Sequence, residues 1–168
     1  MKKILKSKDL QLLAEKINKE IKNVNNGGCC VFASLVSERL KDHYDVKINV
    51  YGNDSYKSID EVRPAIKKNT LSEWNNKGIY FAHVVTEFKF KNGVKKEFDS
   101  TGIYKPNGSI AYCYDRTKGN LTLKETKALA SKRAGWNNAF DRTQIPTMRK
   151  IINTFFDAYE PTKQVKRT

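Results

Sequence analysis

The chain reads as an α+β protein in which a helix bearing a cysteine packs on an antiparallel sheet, with additional helices toward the C-terminus. Three observations predict this. Leu10, Leu13, Ala14, Ile17 and Ile21 recur at helical spacing near the start. In the middle, "DVKINVY" alternates apolar and polar residues, and "IYFAHVVTEFKF", then "KNG", then "VKKEFDS" carries the signature of a hairpin. Beyond about residue 120 the pattern returns to helices. With 168 residues, no internal repeat and no Pro-rich linker, the expectation is one domain over 1–168. Its core falls at about 24–115 and a helical extension at about 120–160.

The first helix spans Asp9 to Lys22, and "NVNNGG" stops it with residues that tolerate the left-handed backbone of a sharp reversal. A second helix starts at about Cys29, with Phe32, Ala33, Leu35, Val36 and Leu40 buried. Asp45 to Tyr51 reads as a strand. Residues 52–78 are polar, with a short helix near Ile59 to Lys67 interrupted at Pro64. After the hairpin a further strand is expected around Ile110 to Tyr114. One helix then runs from Thr122 to Ala134, ended by Gly135, and a second has Pro146 in its first turn and reaches about Tyr159. The terminal "KQVKRT" reads as a frayed basic tail.

Composition narrows the function classes. No run of eighteen or more apolar residues exists, so no membrane-spanning helix is predicted. The lysines near the N-terminus resemble those of a secretory signal, but Lys6, Lys8 and Asp9 break the apolar run that one needs. Three cysteines, two of them adjacent, do not make a disulfide framework, which points to a reducing cytoplasmic setting. Cys29, Cys30, Cys113, His43 and His83 include no C-x-x-C pair, so no structural metal and no cofactor is expected. The net charge of +14 allows an acidic protein partner or nucleic acid to meet a basic surface. The lysines are spread along the chain, however, and aromatics are not interleaved with them as in a base-stacking platform.

Thiol chemistry needs a base within hydrogen-bond reach and a polar group to orient that base. Of the two histidines, His43 sits at the end of the cysteine helix, whereas His83 lies inside the apolar strand "FAHVV". A two-residue Asn92-Gly93 turn would put Asp99 opposite Thr86 and facing away from His83. A three-residue loop, Lys91-Asn92-Gly93, with Gly93 in the left-handed position, puts Asp99 opposite Val85 instead. Asp99 then shares a face with His83, one diagonal step away. The same register gathers Val84, Phe88, Phe90, Val94 and Phe98 on the other face, as a core requires. Contact between His83 and Asp99 still requires a local twist or bulge.

"GGCC" opening a buried helix is a place where a thiolate is stabilised by the helix N-terminus, and where first-turn N–H groups can serve an oxyanion. A free cysteine can equally be a small buried hydrophobe, which is the reading for Cys113 in "AYCYDR". The order Cys, His, Asp and the element types that carry it resemble a known superfamily. "GGCCVFASLVSERL" resembles the G-x-C-x-V-F-A motif of the transglutaminase-like superfamily, in which the cysteine heads a central helix. "HVVTEFKFKNGVKKEFDSTG" resembles its second block: a His opening a strand, a turn, and an Asp closing the next strand. The resemblance covers about Gly27 to Gly102, half of the chain.

That resemblance implies a papain-like α+β core and a cysteine hydrolase or acyltransferase of the protease, deamidase or transglutaminase type, acting on a protein or peptide amide. Cys29 matches the nucleophile, His83 the general base and acid, and Asp99 the orienting carboxylate. Cys30 matches the "G-G-x-C" spacing of papain and the arylamine acetyltransferases, and is the alternative nucleophile. The chain departs from the superfamily in two places: Cys30 stands where an aromatic residue often follows the cysteine, and no Trp precedes Cys29. Asn23, Asn25 and Asn26 are the amides near enough in sequence to donate to an oxyanion in its place. The alternative function is a non-catalytic basic binding module on the same fold.

Overall fold

A computed structural model of the protein describes residues 2–25, 27–52, 57–68, 81–90, 92–105, 116–131 and 139–160. It is mixed α and β, built on a five-stranded antiparallel sheet. Helix α1 (Ser7–Glu20) begins where the Asp9 carboxylate takes the Lys6 backbone N–H at 2.8 Å, and it buries Leu10, Leu13, Ala14 and Ile17. Helix α2 (Cys29–Leu40) is buried almost all round, as expected of a helix apolar on most faces. Strand β1 (Asp45–Gly52) follows, then a 3₁₀ turn (Ile59–Glu61) and the short helix α3 (Arg63–Lys68). Pro64 does not interrupt a helix but stands in the first turn of α3, where the missing N–H has no intrahelical partner to lose.

Strands β2 (Phe81–Lys89) and β3 (Lys95–Asp99) form the expected hairpin, and β4 (Gly102–Tyr104) doubles back on β3. Strand β5 (Arg116–Leu121) returns to the other edge, giving the order β4-β3-β2-β1-β5. Helix α4 (Leu123–Ser131) precedes a 3₁₀ turn (Arg142–Gln144) and helix α5 (Ile145–Asp157), with Pro146 in its first turn. The strand expected around Ile110 to Tyr114, Cys113, Asn26, Gly135 and the basic tail lie outside the described residues.

Two apolar clusters flank α2 and fix its position. One gathers Phe32, Leu35 and Val36 of α2 with Leu10, Leu13 and Ile17 of α1, Met148, Ile152 and Phe156 of α5, and Phe88 and Phe98 of the sheet. The other joins Cys30 and Ala33 to Ile48, Val50 and Val84 of the sheet and to Ile59, Val62, Ile66 and Leu129. The Phe32 and Phe98 rings meet with centroids 5.3 Å apart, tying the helix to β3. Deleting a ring at such a site costs about 3–5 kcal/mol. Val94, expected on this face, is 44% exposed, because it stands just before β3 at the mouth of the hairpin loop, where its carbonyl takes the Phe90 N–H. Among the described residues no helix is long and apolar enough to cross a membrane.

Candidate active site

The hairpin loop sets the site. Gly93 has φ +79°, Gly93 N–H donates to Phe90 O, and Phe90 N–H donates to Val94 O, closing a three-residue loop with glycine in the left-handed position. The ladder then runs Lys89↔Lys95, Phe88↔Lys96, Glu87↔Glu97 and Thr86↔Phe98. Asp99 is one step further, opposite Val85, and so shares a face with His83. The required irregularity is present as well. Tyr51 pairs with His83, but Gly52 pairs with Phe81, so Ala82 is an extra residue in β2 directly before the histidine.

With that bulge the His83 Nε2 and Asp99 Oδ2 atoms lie 2.8 Å apart. An ionised carboxylate only accepts, so Nε2 carries the proton and donates it. The other carboxylate oxygen is saturated: Asp99 Oδ1 accepts from Thr101 N–H at 2.7 Å, Thr101 Oγ1 at 2.6 Å and Gly102 N–H at 3.2 Å. Burial works against the charge of Asp99, which is 2% exposed, but His83 and Thr101 overcome it and hold the carboxyl below its ordinary range. The sequence signal for these donors is "DSTG", an Asp followed by small hydroxyl residues that close a turn back onto its side chain.

Cys29 occupies the first turn of α2, in hydrogen-bond contact with His83 and with the backbone N–H of Val84. Since Asp99 takes Nε2, the imidazole offers Nδ1 to the sulfur. The Cys29 thiol is pulled well below its usual range. The hydrogen bond from Cys30 is the largest cause, burial opposes it, and His83 and Val84 N–H reinforce it. Cys30 moves the opposite way, pushed up by its bond to Cys29 and by burial. The two adjacent sulfurs thus have distinct environments. Cys29 is partly exposed and adjoins His83, while Cys30 is 7% exposed and packs with Ala33 and Val84. For His83, burial lowers the pKa, but hydrogen bonds and charge from Asp99 and Cys29 more than offset this and raise it to about 10. Both shifts favour one microstate, a thiolate beside an imidazolium.

The loop ahead of the cysteine is anchored on several sides. Lys22 N–H donates to Gln144 Oε1 at 3.0 Å, Asn23 Nδ2 donates to Ala139 O at 3.2 Å, and Gly28 N–H donates to Val24 O at 2.8 Å. Asn23, at φ +59°, supplies the left-handed step of the reversal. Ser100 Oγ donates to Asn25 Oδ1 at 2.8 Å, so the Asp99 turn and the Cys29 loop are joined directly. Gly28 admits no side chain, because a Cβ there would lie 2.7 Å from Val24 O and 2.8 Å from the Phe140 ring. His43 stands apart, just past α2, with its N–H donating to Leu40 O.

Two further parts of the site carry no sequence pattern. The Val84 N–H is a backbone group, and Tyr51 faces His83 only through pairing across strands distant in sequence. Comparison with family models, with curated proteins and with solved structures finds no match to this chain.

Proposed function

We propose that this protein is a thiol-dependent hydrolase or acyltransferase acting on an amide, on a core of the papain-like, transglutaminase-like type. The observation that carries this reading is the continuous chain of contacts Cys29–His83–Asp99, with the second oxygen of Asp99 saturated by Thr101 and Gly102. A merely structural histidine needs only one partner. Here one ring nitrogen meets a carboxylate and the ring also meets a thiol at a helix N-terminus, which is the arrangement nucleophilic catalysis requires.

In the first half-reaction the Cys29 thiolate attacks the amide carbonyl carbon, and the carbonyl electrons move onto oxygen. Cys29 opens α2, so the first-turn N–H groups of that helix are fixed dipoles of the right sign for that oxyanion. Collapse breaks the C–N bond while His83 gives its Nδ1 proton to the departing amine, leaving a thioester on Cys29. In the second half, water or an amine attacks the thioester and yields its proton to His83. The product acid or amide departs and the thiolate–imidazolium pair is restored. Asp99 keeps Nε2 protonated throughout, so that Nδ1 is the atom that exchanges protons.

The test is trapping with an electrophilic acyl probe, followed by mass spectrometry to locate the modified cysteine, and assay of ammonia or amine release from peptide amides. Modification at Cys29 alone, and loss of turnover in Cys29→Ala with an unchanged melting temperature, is the expected result. Normal turnover by Cys29→Ala removes it as nucleophile.

A further inference from the structure

The sheet face that carries His83 and Asp99 also carries a buried polar network that the thiol chemistry does not use. Strand alternation puts Asn49 and Tyr51 of β1, His83, Val85 and Glu87 of β2, and Glu97 and Asp99 of β3 on this one side. Tyr51 is directly opposite His83 and only 2% exposed. Its hydroxyl donates to Glu97 Oε1 at 2.5 Å, and Glu97 is fully buried.

To reach β3 from β1 the Tyr51 side chain must cross β2, which lies between them. It crosses next to His83, over the fully buried Val85. The far end of the network is fixed as well. Asn49 Nδ2 donates to the same Glu97 oxygen at 3.0 Å and to Glu87 Oε2 at 3.3 Å, and Asn120 Nδ2 of β5 donates to Asn49 Oδ1 at 2.5 Å. Four strands are thereby tied together through Asn49 and Glu97, and Tyr51, opposite His83, is held on the same Glu97 oxygen.

Packing alone does not account for this. A buried carboxylate costs more than an apolar residue of similar size. What a carboxylate oxygen adds is a fixed direction for the groups that donate to it. The strand geometry points the same way: β1–β2 pairing slips just after Tyr51 and β1–β5 pairing slips just before it. Such irregularities re-aim side chains.

We propose that Tyr51 and Glu97 are positioning residues for His83: the phenol, held by Glu97, braces the imidazole at the torsion where Nε2 meets Asp99 and Nδ1 meets Cys29. This rests on the thiol-catalysis reading above. Without the brace the ring swings on its χ angles, and the thiolate loses its cationic neighbour for part of the time.

The experiment compares full-length wild type, Tyr51→Phe and Glu97→Gln. Two readouts are taken: the pH dependence of Cys29 alkylation by iodoacetamide, with the site assigned by mass spectrometry, and the ring N–H resonances of His83. The second is tractable because the chain has two histidines. Tyr51→Phe is expected to raise the alkylation midpoint by about one pH unit, which is about tenfold less thiolate below it. It should also broaden or lose the His83 Nε2–H signal. Glu97→Gln keeps an acceptor oxygen for Tyr51 and is expected to stay within about twofold of wild type. A Tyr51→Phe protein with wild-type profile and wild-type His83 signal overturns the proposal, whatever its melting temperature. So does a Glu97→Gln shift as large as that of Tyr51→Phe, since the charge of Glu97 would then be the active element. Slow wild-type alkylation near neutrality counts against thiol catalysis itself. The His83 resonance still tests the brace in that case.

Discussion

Ser100 Oγ lies 2.8 Å from Asn25 Oδ1, and this one bond joins the two segments of chain that must meet for Cys29 and Asp99 to serve the same histidine. Ser100 is almost fully buried and directly follows Asp99, and Asn25 stands four residues before Cys29. Loop and turn come from opposite ends of the α2–β3 stretch, 75 residues apart in sequence. Their alignment therefore depends on tertiary contacts and not on local geometry.

Removing that bond tests its importance. Ser100→Ala is expected to lower stability by about 1 kcal/mol, a fall in Tm of about 2–4 °C. Because the exposed Asn25 amide can turn to water, the larger effect should be on Cys29 labelling, which slows several-fold. Differential scanning calorimetry and timed alkylation check the two effects separately.

Asp99 is the source of much of the positive charge held on His83. In Asp99→Asn the alkaline limit of turnover, set by His83 at about 10, should move down by about 1–3 units. Stability follows a definite sign. The Asp99 pKa is depressed on folding, so its contribution is present above the unfolded value of about 3.9 and is lost as pH falls through the folded value. Urea titrations across acid pH should show wild type and Asp99→Asn converging as the pH drops below about 4.

The thiolate–imidazolium pair predicts two different pH profiles from one site. Turnover needs both partners charged, so it falls in acid as the Cys29 sulfur, whose pKa is lowered, takes a proton. It falls again near pH 10 as His83 loses the proton destined for the leaving amine. Alkylation needs only the thiolate, so it shows the acid limb and no alkaline fall. Coincident bell-shaped curves for both would contradict the assignment of His83 as the acid.

Gly28 tests the close packing beneath the cysteine. In Gly28→Ala the new methyl meets a backbone carbonyl at 2.7 Å and the Phe140 ring at 2.8 Å, and a carbonyl cannot step aside as a side chain can. The expected cost is about 1–3 kcal/mol, with Cys29 displaced from His83. Calorimetry checks the stability, and the alkylation rate near neutral pH, falling toward that of an ordinary thiol, checks the displacement.

Much of this site was legible in the sequence because its decisive features are local or periodic. The alternation in "FAHVVTEFKF" specified a core face, the three-residue loop is the one that gathers Phe88, Phe90 and Phe98 on it, and that register places Asp99 on the side of His83. The helix at Cys29 was equally readable from its apolar density. Strand β5, "RTKGNL", was not, since it has neither alternation nor β-branched enrichment and exists only because β1 offers it an edge. The Tyr51–Glu97 bond escaped for a related reason: Tyr51 reads as an ordinary strand aromatic until the order of three strands is known. Thr101 and Gly102 fall between these cases, visible as turn residues but not as donors to a carboxylate.

The three-residue loop also has evolutionary weight. Its last residue, Gly93, lies six residues from Asp99, about 20 Å along the strand at 3.3 Å per residue. Yet the pairing of His83 with Asp99 is a matter of parity, odd or even, and this loop sets it. Losing one residue there would leave Cys29, His83 and Asp99 in the gene and turn Asp99 to the far side of the sheet. Lineages of this protein should therefore refuse a single-residue insertion or deletion in the loop. A short turn remote from the site in sequence thus decides by its length whether His83 and Asp99 can meet.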